Sequence, residues 1–125
     1  ERDIEIRKLN PGTYALSNTY LTNSWPKCQK GRQRLADGTE QDFSVETLLE
    51  ILGDSQPPLD NLLPQRGNTI EYERRLGSAF VIGEDYGTRA STVLLVNRRK
   101  ITFHERSFER KGSSYQDLRN ELLLN

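Results

Sequence analysis

Asp85, Thr88 and Arg89, in the run Gly83-Glu84-Asp85-Tyr86-Gly87-Thr88-Arg89, are residue types that could do chemistry. A carboxylate, a hydroxyl and a guanidinium on a glycine-punctuated loop can be brought close to a ligand. Arg89 could grip a substrate carboxylate or phosphate through two parallel N–H donors. Its competing role is to pair with Glu84, Asp85 or Glu105 and brace the loop. The loop runs straight into Ala90-Ser91-Thr92-Val93-Leu94-Leu95-Val96, whose β-branched members fix where polar side chains point. Ser91 and Thr92 read as strand residues rather than nucleophiles, because the sequence fixes no base beside them.

His104 lies in an extended run next to Glu105, and neighbours on a strand point to opposite faces. Adjacency therefore makes no catalytic dyad of them. Cys28 reads as a small apolar filler with a thiol worth testing because it is unique. One cysteine and one histidine cannot build a thiolate–imidazole zinc cage, and no carboxylate spacing suggests another metal site. No cofactor is expected. Lys27, Lys30, Arg32 and Arg34 make one helix basic, either as a solvated face or as a docking surface for a phosphate-bearing ligand. Aromatic residues do not interleave with these charges as single-strand binders require, so nucleic acid is not an expected partner. Trp25, before Pro26, reads as a core anchor.

These residues need elements to position them. Residues 4–9 alternate around Ile4 and Ile6 like a half-buried strand, Asn10-Pro11-Gly12 is a turn, and Thr13 to Ser17 reads as its partner strand. Ser24-Trp25-Pro26 opens a helix that reaches about Leu35 and stops at Asp37-Gly38. Val45, Leu48, Leu49 and Leu52 form one helical stripe, with Asp42 or Ser44 to cap its start and Gly53 its end. The proline-rich stretch from Gly53 to Gly67 reads as a loop pinned by Leu59, Leu62 and Leu63. Residues 69–75 fit no single template, and Ala79 to Ile82 reads as a short strand. Residues 89–96 and 100–108 predict an antiparallel hairpin turning at Asn97-Arg98-Arg99. The first of these strands is apolar on both faces toward its end, which predicts a covering layer on each side. Residues 115–124 suit a helix through Tyr115, Leu118 and Leu122, or a strand through Leu118, Leu122 and Leu124.

With 125 residues the chain makes one domain rather than two. Its hydrophobic share of 34% is low, so the core is modest or shared with something outside the sequence. Eighteen basic and eighteen acidic residues cancel, which gives no global pull toward nucleic acid or anionic membrane. No apolar run suits a membrane span and no signal peptide is apparent, so stable membrane insertion is not expected. A lone cysteine fits a reducing compartment, and the cytoplasm is the expected location. Methionine is absent even at position 1, which is the expectation for a piece of a longer protein.

Two motif groups carry a resemblance. Leu9-Asn10-Pro11-Gly12-Thr13-Tyr14-Ala15-Leu16-Ser17-Asn18, followed by Leu21 and Trp25-Pro26-Lys27, is one. Tyr86-Gly87-Thr88-Arg89-Ala90-Ser91-Thr92 with Phe103-His104-Glu105-Arg106-Ser107-Phe108 is the other. In order and spacing they resemble the C-terminal half of the Transport and Golgi Organisation, or NRDE-motif, family. The resemblance implies an α+β fold, part of a four-layer αββα sandwich with mainly antiparallel sheets like the N-terminal nucleophile hydrolases. Residues 1–125 would be the C-terminal portion of that single domain.

In such enzymes an amino-terminal residue is the nucleophile and its own amine the base. Glu1 cannot fill that place, so the nucleophile would come from the missing N-terminal half, the expected partner. Asn18 would then be the oxyanion donor in hydrolysis of a C–N amide or related acyl bond, or else a simple loop cap. The alternative is a non-enzymatic carrier of haem, lipid or another anionic hydrophobic ligand, met by Arg89 and the basic helix.

Overall fold

A computed structural model describes residues 6–17, 25–38 and 43–124. Among these, three helices precede three strands: α1 (Pro26–Asp37), α2 (Val45–Leu52), α3 (Ile70–Gly77), β1 (Ala90–Val96), β2 (Lys100–Phe108) and β3 (Tyr115–Leu123). The strands form one antiparallel sheet in the order β1-β2-β3. The α+β class expected from the sequence is what the structure shows.

Each helix starts where local chemistry permits. Pro26 opens α1, where its missing N–H is no loss. Ser44 caps α2 by accepting the Thr47 N–H at 3.0 Å, and Gly53 closes it by donating to the Leu49 carbonyl. Thr69 caps α3 in the same way through Tyr72, so the ambiguous stretch is helical. The hairpin also follows the sequence, turning where the Asn97 side chain accepts the N–H groups of both Arg99 and Lys100 at 2.9 Å. The tail is a strand, not a helix, because β2 offers it a partner for every residue from Tyr115 to Leu123.

Four expectations are corrected. Ala79 to Ile82 is not a strand: Val81 is tied instead to Thr88, whose N–H and hydroxyl serve the Val81 carbonyl and N–H. Of the three leucines expected to pin the proline-rich loop, only Leu63 is buried. That loop is held by polar contacts, with Arg74 gripping Asp60 at 2.7 and 2.5 Å and the Phe80 N–H bound to the Asp54 carbonyl. Residues 6–10 hold no strand and Thr13–Ser17 only a single bridge at Leu16, while Glu1 to Glu5 lie outside the described residues.

The fourth correction concerns β1. Its pleat buries Ser91 and Val93, with Leu95 half-buried, beneath α2, where Val45 and Leu49 complete a small core. The alternate residues are bare: Leu94 is 60% and Val96 62% exposed. Antiparallel register carries that bare face across the sheet through Phe103 and Ile101 to Leu122, with Leu118 one step along. Among the described residues only one face of β1 has its layer.

The other face turns polar away from α2. Arg106 holds Asp117 through two bonds of 2.7 and 2.8 Å and lies 4.0 Å over the Tyr115 ring. Lys100 and Arg119 both reach Glu121. Beyond Phe108 a smaller aromatic cluster forms, with Phe80 edge-on at 4.7 Å. It packs over Gly112, which takes φ 64° and where a side chain would press on the Phe80 ring.

Two outcomes follow for stability. Leu49→Ala should cost about 2–4 kcal/mol in urea unfolding by leaving a hole under β1. Leu94→Ser, one strand face away, should change it by less than ~1 kcal/mol. The Arg106 guanidinium, and less so His104, hold the Asp117 carboxyl down at about 2. Since that lies below the unfolded-state value near ~4, the stabilisation is present above pH ~4 and lost as pH falls toward ~2. Asp117 is a third exposed, so Asp117→Asn should cost less than ~1 kcal/mol at neutral pH and flatten that acid limb.

Candidate functional site

Along the outer edge of β1, the end strand of the sheet, runs a groove of about 660 Å³. The positions of Phe108 N–H on Arg89 O and Asn97 N–H on Lys100 O fix the ladder. Odd-numbered residues of β1 turn their main-chain groups to β2, and Thr92 and Leu94 turn theirs outward, toward the groove side. The other walls come from Tyr14 to Ser17, α1, α2 and the end of α3. Leu35, Leu48, Ile51, Leu52 and Leu76 supply an apolar lining.

Part of the groove lining is charged. Trp25 stands there with Arg66 stacked at 5.0 Å and Lys27 at 5.9 Å from its ring. Glu73, 3% exposed, receives Arg66 through two bonds and Asn68 through one of 2.7 Å. Those bonds, Arg66 first, keep the Glu73 carboxyl below its ordinary range and so ionised. With Glu73 thus occupied, Arg66 is fixed as a flat cation beside an indole. The Lys27 ammonium donates to the Leu76 carbonyl at 2.9 Å, and burial lowers its proton affinity. Arg32 adds a third cation to the lining.

Three cations and one engaged carboxylate leave the groove's described lining positive. An acidic group attached to an apolar body would meet complementary chemistry in such a lining, because hydrogen bonds between a cation and an ionised acceptor are stronger than neutral ones. Cys28 lines the groove as a free, half-buried thiol. Among the described residues no group of three or more His, Cys, Asp or Glu is placed to hold a metal ion.

The residues singled out by sequence fall elsewhere. Thr88 is spent on Val81, as described. Asp85 and Arg89 are exposed and are not in the groove wall, although Tyr86 between them is. Arg89 makes none of the pairings with Glu84, Asp85 or Glu105 among the described residues: Glu84 takes Lys111 and Glu105 takes the Thr92 hydroxyl. The loop's glycines answer to the backbone. A side chain on Gly83 would sit 2.3 Å from the Tyr86 carbonyl oxygen, and one on Gly87 2.9 Å from that of Val81. Asn18 lies outside the described residues.

His104 is 5% exposed beside Val93, on the face opposite Glu105, as strand alternation requires. Its Nε2 is 3.3 Å from Asp117 Oδ1, too poorly aligned for a hydrogen bond. The basic face of α1 divides: Lys30 pairs with Asp54 at 2.5 Å, and Lys27 and Arg32 enter the groove. Sequence reasoning missed Arg66, Asn68 and Glu73 altogether. The one available signal was the 66–73 spacing of Arg and Glu around a helix start, which is common in solvated segments too.

Comparison with known proteins agrees with the motifs. No solved structure matches the chain. It is 34% identical over 118 residues to the mouse Transport and Golgi organization 2 homolog, covering 85% of this chain and 42% of the relative. For the bovine homolog the figures are 38% over 111 residues, 79% and 40%, and for the human homolog 32% over 123 residues, 89% and 44%. The chain thus spans less than half the length of these relatives. The family model for Transport and Golgi organisation 2 matches residues 1–110, and the chain belongs to that family.

Proposed function

We propose that this chain supplies a binding wall for an apolar small molecule bearing an acidic group, such as haem, a lipid or another anionic hydrophobic ligand. The observation that carries this reading is the 660 Å³ groove with Lys27, Arg32 and Arg66 in its lining and Glu73 already paired with Arg66. Apolar walls would hold the body of the ligand by desolvation, while the cations read its charge. Arg66 is preorganised by Glu73, Asn68 and Trp25, so little conformational freedom is lost when an anion arrives. Arg89 is a less favoured contact, since it stands outside the groove wall.

Trp25 is the sole tryptophan of the chain, so its fluorescence reports on the groove directly. Decanoate should change that emission saturably, and decanol should bind more weakly. Lys27→Met, which keeps the stem and removes the charge, should weaken decanoate about tenfold and leave decanol unchanged. Equal losses for acid and alcohol would show that charge is not being read.

A second reading makes the same groove the substrate cleft of an amide hydrolase within a four-layer, N-terminal-nucleophile-like domain. One observation favours it: Tyr14 to Ser17 line the groove, and Asn18 is the next residue in sequence. Its nucleophile would come from the part of the family chain outside this one. Asn18→Ala in a full-length family protein should then lower turnover about a hundredfold at little cost in KM. Unaltered turnover would remove Asn18 from the chemistry.

A further inference from the structure

The five lysines of this chain do not stand in equivalent surroundings. Three of them hold a carboxylate: Lys30 pairs with Asp54, Lys100 with Glu121 and Lys111 with Glu84. Such a partner favours the ammonium form and keeps the nitrogen lone pair occupied by a proton. Lys8 is exposed to water. Lys27 is different. It makes no ion pair among the described residues, and its Nζ donates to a neutral acceptor, the Leu76 carbonyl, at 2.9 Å. The residue that shares the Trp25 ring with it is another cation, with Arg66 at 5.0 Å and Lys27 at 5.9 Å from the ring centroid. Glu73, the carboxylate that could have offset both, is taken by Arg66 and Asn68. Burial disfavours the Lys27 ammonium and the Arg66 charge works in the same direction, partly offset by Cys28. A desolvated amine beside a fixed cation is the setting in which lysine serves as a nucleophile near neutral pH.

We infer that Lys27 captures long-chain aliphatic aldehydes in the groove as a reversible imine. This rests on the reading of the groove as a site for apolar ligands and adds a covalent step to it. Leu35, Leu48, Ile51 and Leu52 offer the alkyl chain an apolar lining, and Lys27 stands in the same wall. A carboxylic acid would be held there by charge alone, since its carbon does not accept an amine without activation. An aldehyde carbon does. The Nζ lone pair forms the C–N bond as the carbonyl π pair moves to oxygen, and a proton passes from nitrogen to that oxygen to give the carbinolamine. Departure of the hydroxyl with one more proton, as water, leaves the C=N bond. One water is released for each aldehyde bound, and nothing is oxidised or reduced. The protonated imine keeps one N–H, which can still donate to the Leu76 carbonyl. Exclusion of water by the apolar lining slows hydrolysis back to the aldehyde.

The experiment incubates the whole chain with decanal at neutral pH, reduces any imine with sodium cyanoborohydride, and locates the decyl group by tandem mass spectrometry. Lys27 should be labelled about tenfold faster than any of the other four lysines, because binding raises the aldehyde concentration at its amine. Excess decanol, which can fill the groove but forms no imine, should suppress labelling of Lys27 about tenfold and leave the other lysines unchanged. Lys27→Arg keeps the charge and removes the nucleophile. In that variant decanoate should still change Trp25 emission, while decanol-sensitive labelling disappears. The decanol competition uses the unaltered chain, so it decides the matter even where the variant folds poorly. Labelling spread evenly over the five lysines, or labelling of Lys27 indifferent to decanol, would overturn the inference. Should decanol change Trp25 emission while Lys27 stays unlabelled, the covalent step falls and the groove reading stands. Should decanol leave the emission unchanged and Lys27 react no faster than the rest, both fall together.

Discussion

Two consecutive residues state the constraint on which this structure turns: Val93 is 4% exposed and Leu94 is 60% exposed. A strand places neighbours on opposite faces, so an apolar residue at every position asks for a layer on each side. Helix α2 answers for Val93, joined by Val45 and Leu49. Burying each such side chain is worth ~1.5–3 kcal/mol, which makes this small cluster the main apolar attachment between helices and sheet. Among the described residues the buried apolar side chains gather in this cluster and in a smaller one around Phe80, while the opposite face of β1 stays bare.

Charge is distributed by the same logic. Where no helix covers the sheet, Asp117, Arg119 and Glu121 alternate in sign along the α2 side of β3; Arg106 and Lys100 on β2 reach Asp117 and Glu121 across the ladder, and Arg119 reaches Glu121 along its own strand. Such exposed pairs add little stability singly. Their larger effect is on register: a one-residue slip of β3 would turn Asp117 and Glu121 to the apolar face and Leu118 and Leu122 to the charged one. Glu73 is a different case. It is buried, and Arg66 and Asn68 occupy its oxygens, so its charge is fixed without being left for a ligand.

What could be read from the sequence was whatever short-range chemistry decides. Helix α2 carries a cap, a four-residue stripe and a closing glycine within ten residues, and the hairpin turn is set by a single Asn97 side chain. Residues 115–123 could not be assigned because Leu118 and Leu122 fit a helix and a strand alike, and only pairing with β2 decides. Ala79 to Ile82 looked like a strand because it is apolar, yet its hydrogen bonds go to Thr88 and the Asp54 carbonyl instead of a ladder. The groove was illegible for a related reason. Trp25, Arg66 and Glu73 come from separate segments, and no period in the sequence brings them together.

The glycine loop shows how a motif can be informative about structure while pointing away from its apparent role. Gly83 and Gly87 look like residues that let a backbone approach a ligand, but the atoms they admit belong to Tyr86 and Val81. Thr88 closes the same turn from the side. Drawn tight in this way, the loop delivers Ala90 to the start of β1 in fixed register and sets Tyr86 at the groove wall. Arg89, at the exit, contributes its carbonyl to the first rung with Phe108. The cations that line the groove sit instead on α1 and on the segment before α3, which share the groove wall with β1. Charge reading and strand positioning are thus carried by different residues, and a substitution that weakens one can leave the other whole.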